Sequence, residues 1–486
     1  MHRSDELIKS EAIDIVRRLR AGDITPHDLL DALETRIAAV DGDVNALPTL
    51  CFERARAHAD QLMAKPVAER GLLCGMPVPI KDLTNVAGVR STQGSPIFAD
   101  FVPDRSNVMI DMLELQGGIV YAKSNTPEFG AGANTFNEVF GATLNPWNMS
   151  RSAAGSSGGA AVALATGMAW LAHGSDMGGS LRNPASFCGV VGMRPSIGRV
   201  ASTPSFKIDR TLGVQGPMAR SVEDTALLLD AISGNHPADP KSLPRLSESF
   251  LQASRSGWKP KRVAYSADLG ITPVDPEVAA ITRKAAERLS EAGVIVEYAH
   301  PNMSEAHECF QVLRAFDFAM SKVDLLHKHR NLLKPEVSWN IEKGLALSVE
   351  EIARAEAQRV TLAARMMKFF ETYDLLLCPS TIVAAFPIEQ RYLTECNGKK
   401  FDNYVEWLAI AYAITLACCP ALSLPCGFTR EELPVGLQIV APPGAEGHVF
   451  ASAKLLDDML GLKGMTPIVP MHGDAVARSH PIPTAL

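Results

Sequence analysis

The sequence predicts an α/β layered fold, on three observations. Of its 486 residues 47% are apolar and 21% charged, which is enough apolar material for a large core and excludes a disordered chain. From residue 260 onward, apolar strand-like runs alternate with segments of helical spacing, the pattern of strands layered with helices. Between residues 141 and 200, glycine, serine and alanine are abundant and charge is scarce. No repeat, low-complexity segment or long linker divides the chain. The expectation is one domain over 1–486, with a helical segment about 1–65, a core about 70–235 and an α/β part about 260–486. Helices near 310–370 are expected to form a lid.

The elements follow in order. Ser10, Thr25 and Asp41 mark helix edges near the N-terminus. Thr25-Pro26 is a cap followed by proline at the first helical position, with Asp28 in the first turn. Leu29, Leu30, Leu33 and Ile37 then repeat at helical spacing. Residues 71–82, GLLCGMPVPIKD, read as a short buried strand reaching a Lys-Asp pair. A helix near 106–116 and a strand over 118–123 come next. Farther on, strands at 262–265, 294–298 and 375–378 alternate with helices near 276–292, 304–328 and 349–372. The uncharged stretch 407–428 is long enough to span a bilayer, but Pro420 and Pro425 break it. It reads instead as a buried helix ending near Cys419 and a buried strand over 421–424.

Charge and cysteine usage narrow the function classes. Lys plus Arg number 47 and Asp plus Glu 54, a net charge of −7 without any long single-sign run. Nucleic-acid binding rests on clustered Lys and Arg, so it is not expected. The nine cysteines are odd in number and form no CxxC pair, and the 12 histidines are scattered. Neither a disulfide framework nor a metal site is predicted. The first residues, MHRSDELIKSEAIDIVRRL, are charged and helical and lack the apolar core of a signal peptide. A cytoplasmic protein acting on a small molecule is the expectation.

Two glycine-serine segments carry the chemistry. The first is Gly155-Ser156-Ser157-Gly158-Gly159, followed by the helix former AAVALA; the second is Ser175-Asp176-Met177-Gly178-Gly179-Ser180-Leu181-Arg182, preceded by AWLAHG, a buried strand. Glycines beside a serine let the backbone approach a ligand and aim several amides at one point. Such a serine is exposed to substrate with oxyanion donors beside it. Either segment alone reads as readily as a loop or a phosphate cradle. Together with Lys81, at the end of the apolar run VPI, they make a proton path. Burial disfavours an ammonium and lowers its pKa from about 10.4. A neutral lysine is a general base, and lysine plus two serines completes a route to a nucleophile.

The stretch AGSSGGAAVALATG, with GSDMGGSLRNPASFCGVVGMRPSIGRV after it, resembles the amidase signature family. GMPVPIKDLTNVAGVRSTQGS resembles that family's lysine segment and AKSNTPEFGAGANTFNEVFGATLNPWN its acyl-side loop; YDLLLCPS and PALSLPCG resemble its C-terminal strands. The resemblance covers roughly residues 5–460. It implies a large twisted mixed sheet with helices on both sides. It implies further that Ser180 is the nucleophile, Ser156 a bridging serine joined to its neighbour by a cis peptide, and Lys81 the base. The backbone N–H groups of Met177, Gly178, Gly179 and Ser180 correspond to the oxyanion hole. Asp176, Arg182 and Ser157 correspond to supporting groups, and Phe129, Gly130, Ala131 and Trp339 to the substrate pocket. Cys188 corresponds to a packing position. Departures include Ala154 for glycine, which puts a methyl beside the bridging loop, and Ser175 for threonine.

The implied activity is hydrolysis of a small apolar or aromatic carboxamide, or a related anilide, hydrazide or ester, with no metal or organic cofactor. Partners are expected to be the amide substrate alone, with no nucleic acid or membrane; a homodimer is left open. The family also includes the glutamine-hydrolysing component of a tRNA-dependent amidotransferase, which carries an Arg-Arg pair in a VKRRI-like segment. This chain has Val337-Ser338-Trp339-Asn340-Ile341 there. Without those arginines a glutamine α-carboxylate lacks its partner, unless Arg330 or Arg354 supplies one. The alternatives are that glutamine-hydrolysing component, or a non-catalytic binding protein on the same scaffold. A thiol enzyme would need Cys188 as nucleophile, and Lys81 is placed for the serines instead.

Overall fold

Residues 3–203 and 211–472 are described by a computed structural model of the chain. Helix α1 (Arg3–Lys9) leads to α2 (Ala12–Ala21), whose N-cap residue Glu11 gives no side-chain cap. Asp224, distant in sequence, instead accepts from the free amides of Ala12 and Ile13, both at 2.9 Å. Ser10 lies between the two helices and donates to the Glu6 carbonyl. α3 (Pro26–Val44) begins at Thr25 as expected, in a reciprocal cap with Asp28. Its apolar stripe, Leu29, Leu30, Leu33 and Ile37, is buried. Asp41 falls inside the last turn of α3, where its carboxylate accepts from Ala46 and Leu47 N–H. The strand β1 (Thr49–Leu50) and helix α4 (Phe52–Met63) follow.

The next elements build a small three-stranded sheet. β2 (Pro77–Lys81) runs parallel to β3 (Ile119–Ser124), with α5 (Val108–Leu115) as the crossover, and β1 flanks β3 antiparallel. Every residue of β2 and β3 is buried, as expected for strands covered on both faces. A two-residue ladder, β4 (Phe136–Asn137) with β5 (Gly141–Ala142), precedes α6 (Gly158–Ala165).

The larger sheet takes its strands from the remainder of the chain. They are β6 (Leu171–Asp176), β7 (Val191–Arg194), β8 (Val214–Ala219), β9 (Arg262–Tyr265), β10 (Ile295–Tyr298) and β11 (Leu375–Pro379). A short ladder, β12 (Glu395–Cys396) with β13 (Lys399–Lys400), stands outside it; β14 (Ala421–Phe428) and β15 (Pro434–Val440) complete the eight. The order is β10-β9-β11-β15-β14-β7-β8-β6, with β10, β9 and β11 parallel and the other neighbours antiparallel. This is the mixed sheet that the resemblance implies. Pro425 sits in β14 beside a register shift, where a missing N–H costs no ladder bond.

Helices α7 (Arg182–Cys188), α8 (Val222–Ile232), α9 (Phe250–Ser254), α10 (Pro276–Glu287), α14 (Ala409–Leu416) and α15 (Glu446–Leu460) pack around these strands. α11 (Ala306–His329), α12 (Pro335–Leu345) and α13 (Val349–Phe370) form a helical layer over 306–370. One apolar cluster runs from Leu7 to Leu456 through both sheets. The uncharged stretch 407–428 is buried as α14 and β14, and no described helix is long and apolar enough to cross a membrane.

Candidate active site

Lys81 is the last residue of β2 and is fully buried. The strand stops there because Asp82 turns away to accept from the Thr92 N–H and to pair with Lys123 Nζ at 3.0 Å. Lys81 Nζ lies 2.7 Å from Ser156 Oγ, 2.8 Å from Ser157 Oγ, 3.1 Å from Ser175 Oγ and 3.3 Å from the Ser175 carbonyl. Four neutral oxygens solvate the amine poorly compared with water. Burial therefore brings its pKa down to about 7, against the pull of the Asp176 carboxylate. A large part of the Lys81 population is neutral at pH 7 and able to take a proton from a serine.

Ser156 follows a cis peptide bond with Gly155, as the resemblance implies. Ala154, the departure from glycine, adopts φ 55, the left-handed region that an alanine enters at a cost of about 1–2 kcal/mol. The loop holds that conformation because Ala154 N donates to Ser152 Oγ and its carbonyl accepts from Thr135 Oγ1. Ser157, expected as a supporting residue, touches Lys81 about as closely as Ser156 does.

The second serine segment leaves β6 at Asp176 and turns back on that residue's carboxylate. Oδ1 accepts from Gly179 N and Arg182 Nη2, and Oδ2 from Leu181 N and Arg182 Nε, at 2.8–3.0 Å. Arg194 donates to the Asp176 carbonyl at 2.7 Å. Burial raises the Asp176 carboxyl, but Arg182 and Arg194 outweigh it and hold the group well below the usual carboxylate range. Gly179 takes φ 108 in this turn, and a Cβ there would stand 2.5 Å from Asn183 Oδ1. The turn thus requires glycine.

The four-amide hole is corrected at one position. The Gly179 N–H is committed to Asp176, whereas Met177, Gly178 and Ser180 amides meet no acceptor among the described residues. Ser180 lines the same cavity as Ser156, and its carbonyl accepts from Ser157 N at 3.2 Å. Among the described residues its hydroxyl makes no hydrogen bond to Ser156. Such contacts often tighten only when substrate is bound. Cys188 is buried, its thiol pushed up by burial, which fits packing.

The cavity has a volume of about 750 Å³. Phe98, Phe101, Phe129, Phe310 and Phe318 give it aromatic walls, and Leu83, Gly130, Met177 and Gly178 lie beside the serines. Thr84, Asn107, Ser202 and Gln215 make a polar wall, with Gln215 donating to Asn107 and Ser202. Phe129 and Gly130 therefore stand where the sequence places them. Ala131 does not line the cavity: it is fully buried, and its carbonyl accepts from Lys334 Nζ at 2.9 Å. Trp339 does not line it either. It packs edge-on against Tyr404, with Lys343 over its ring, because this side of α12 faces the core and not the cavity.

With that correction, Trp339 and Asn340 no longer bear on glutamine binding. Arg330 pairs with Glu342 and Arg354 with Glu308, both exposed and outside the cavity. A different arginine, Arg314 on α11, lines the wall and was missed. Its signal in the sequence was a cation beside Val312, Leu313 and Ala315, on the apolar side of a helix that also carries Glu308, Asp317, Lys322 and Asp324. Ser175 and His173 were missed as well. They sit two apart on β6, so both face Lys81, whose N–H donates to His173 Nδ1 at 3.4 Å. Burial, with Lys81 adding to it, pushes the His173 imidazole down to about 3, so it is neutral. Among the described residues no cluster of His, Cys, Asp and Glu could hold a metal ion.

Known proteins are similar to this chain over most of its length. A family model described as Amidase matches residues 28–450. An acylamidase of Rhodococcus erythropolis is 34% identical over 448 residues, covering 91% of this chain and 94% of the relative. The A component of the glutamyl-tRNA(Gln) amidotransferase of Moorella thermoacetica is 34% identical over 474 residues, covering 92% and 96%. A crystal structure of a bacterial aryl acylamidase of the amidase signature family superposes with a TM-score of 0.86 at 27% identity, covering 93% of this chain and 96% of that one. With the family model spanning most of the chain and the fold matched throughout, this chain belongs to the amidase signature family.

Proposed function

We propose that this amidase-family hydrolase cleaves a carboxamide flanked by an apolar or aromatic group, through an acyl-enzyme on Ser180. The observation that carries the reading is the enclosed Lys81 amine, 2.7 Å from Ser156 Oγ at the wall of a cavity that also holds Ser180. Neutral Lys81 takes the Ser156 proton as Ser156 takes that of Ser180, and Ser180 attacks the amide carbon. The free amides of Met177, Gly178 and Ser180 receive the oxyanion; an essential donor of this kind is worth about 2.7–4 kcal/mol. The relay then runs backwards and protonates the leaving amine, without which the C–N bond does not break. Water attacks the acyl-enzyme by the same route and releases the carboxylate.

The aromatic walls support an apolar or aryl flank, and two acylamidases among the relatives agree with it. Steady-state kinetics of the purified chain on benzamide, phenylacetamide, acetanilide, glutamine and asparagine test the reading. Turnover of the aryl amides, lost in Ser180→Ala, is the expected result. A second reading, glutamine hydrolysis within an amidotransferase, is favoured by the similarity to the Moorella protein. Highest kcat/KM on glutamine, or activity only with partner proteins present, selects that reading instead.

A further inference from the structure

The relay leaves one buried ammonium unused. Lys334 is the residue before α12 and is 8% exposed, and neither it nor Ala131 lines the cavity. Its Nζ donates to the Ala131 carbonyl at 2.9 Å, stands 4.4 Å from the centre of the Phe136 ring and lies 3.9 Å from the Glu336 carboxylate. Glu336 in turn accepts twice from Arg391, both at 2.8 Å. The Lys334 backbone N–H donates to Glu128 Oε2 at 2.8 Å, and Ser95 Oγ donates to Oε1 of the same carboxylate at 2.6 Å. The residue that opens α12 is thus bonded to both ends of the turn 128–131, by its backbone at Glu128 and by its side chain at Ala131. An ammonium taken out of water is costly, more so than an apolar side chain of its size. What the charge adds here is a strong grip on one carbonyl.

That carbonyl sits in the middle of a segment with unfavourable backbone. Phe129, Gly130, Gly132 and Ala133 take φ of 49, 73, 108 and 56, left-handed on either side of Ala131 at φ −88. Such torsions are disfavoured for residues with a Cβ and persist where the surroundings over-determine them. The same segment lies against the bridging serine. A Cβ on Gly130 would stand 3.2 Å from Ser156 Oγ, and one on Gly155 would stand 3.1 Å from the backbone carbon of Ala133. We propose that Lys334 is a positioning residue for Ser156, holding the Ala131 carbonyl so that Gly130 stays against the Ser156 hydroxyl and keeps it on Lys81. Once released, the segment opens space beside Ser156. The hydroxyl can then turn into another staggered rotamer, away from the Lys81 amine that now stands 2.7 Å from it. The inference rests on the relay of the amidase reading above but concerns a residue that touches neither substrate nor reacting atoms.

The experiment separates positioning from folding and from binding. Lys334→Met is made in the parent chain and in Ser156→Ala, with the fold checked by circular dichroism. Kinetics at pH 7 use the amide of the panel above with the highest kcat/KM, and p-nitrophenyl acetate. On the amide, kcat should fall about tenfold or more with KM within about twofold, because Lys334 acts on the relay and not on the substrate. On the ester the loss should be about threefold, since proton delivery to the leaving group matters less there. That ester loss should vanish in Ser156→Ala, where the hydroxyl to be positioned is already gone. An unchanged amide kcat, a loss confined to KM, or an ester loss of the same size with and without the Ser156 hydroxyl overturns the inference and leaves the amidase reading standing. Where Lys334→Met fails to fold, Lys334→Gln, which stays polar but falls short of the Ala131 carbonyl, is read against the same values. Should no amide and no glutamine be turned over, the amidase reading falls and the ester comparison alone decides on Lys334. A chain that also leaves the ester untouched has no relay to position, and the inference falls with it.

Discussion

On the proposed reaction, removal of Ser180, Ser156 or Lys81 should in each case cause a distinct loss. Ser180→Ala should fold normally and lose activity on the order of 10³-fold or more, as nucleophilic serines do. A folded variant with near-normal turnover would remove Ser180 from its role. For Lys81 the pH profile is the sharper test. In the proposed relay the active form is the neutral amine, and its pKa is brought down to about 7, so kcat/KM should be low below pH 6, rise through about 7 and level off above. Activity flat between pH 5 and 8 would show that another group sets the base. Ser156→Ala should harm amides more than p-nitrophenyl esters, because an ester's leaving group needs less protonation; equal losses would place Ser156 outside proton delivery.

Elements matter to this site through what they keep close together. Gly130 belongs to the loop that brings Phe129 to the cavity, at φ 73. A Cβ there would stand 3.2 Å from Ser156 Oγ and 3.1 Å from Leu83 Cδ1. Gly130→Ala should therefore cost about tenfold or more in kcat on every amide, since small displacements of a reacting group are expensive. Unchanged kcat would mean the loop yields without moving Ser156. The turn on Asp176 is held differently, by carboxylate bonds to Gly179 and Leu181 amides. That device was legible only as far as residue types: the sequence names Asp176 and Arg182, but which amides a carboxylate captures depends on backbone torsions. This is why Gly179, expected at the oxyanion, is found with Asp176.

At the scale of the whole molecule, the strands and helices after residue 260 were readable because apolar periodicity is local, and their bounds shift by only a few residues. Lys81, Ser156 and Ser180 could be singled out because they stand in segments of unusual composition. Arg314 and Trp339 could not be placed: whether a side chain on α11 or α12 meets the cavity or the core depends on how helices cross, which no local pattern carries. Long-range pairing also decides stability. Lys123 and Asp82, 3.0 Å apart and both buried, join β3 to the residue after Lys81. Lys123→Met leaves the buried Asp82 carboxylate with its Thr92 donors but without its cationic partner, and should lower stability by about 3 kcal/mol in urea unfolding. Adding Asp82→Asn should recover part of the loss. A single variant as stable as the parent would show that Asp82 is neutral or hydrated.

The eight-stranded sheet ends on β10, and its last strand leaves Ile295 and Tyr298 at 49% and 64% exposure. An edge strand with unpaired backbone groups and apolar side chains is a template for a second strand. The consequence is colloidal. Concentrated solutions should scatter light well before the protein unfolds, through edge-to-edge contacts that leave each active site open. Ile295→Lys places a charge on that edge and should raise the concentration at which scattering begins, with turnover per molecule unchanged. If the onset does not move, self-association starts from another face. Should it move, storage and assay of this protein are governed by a strand far from its chemistry.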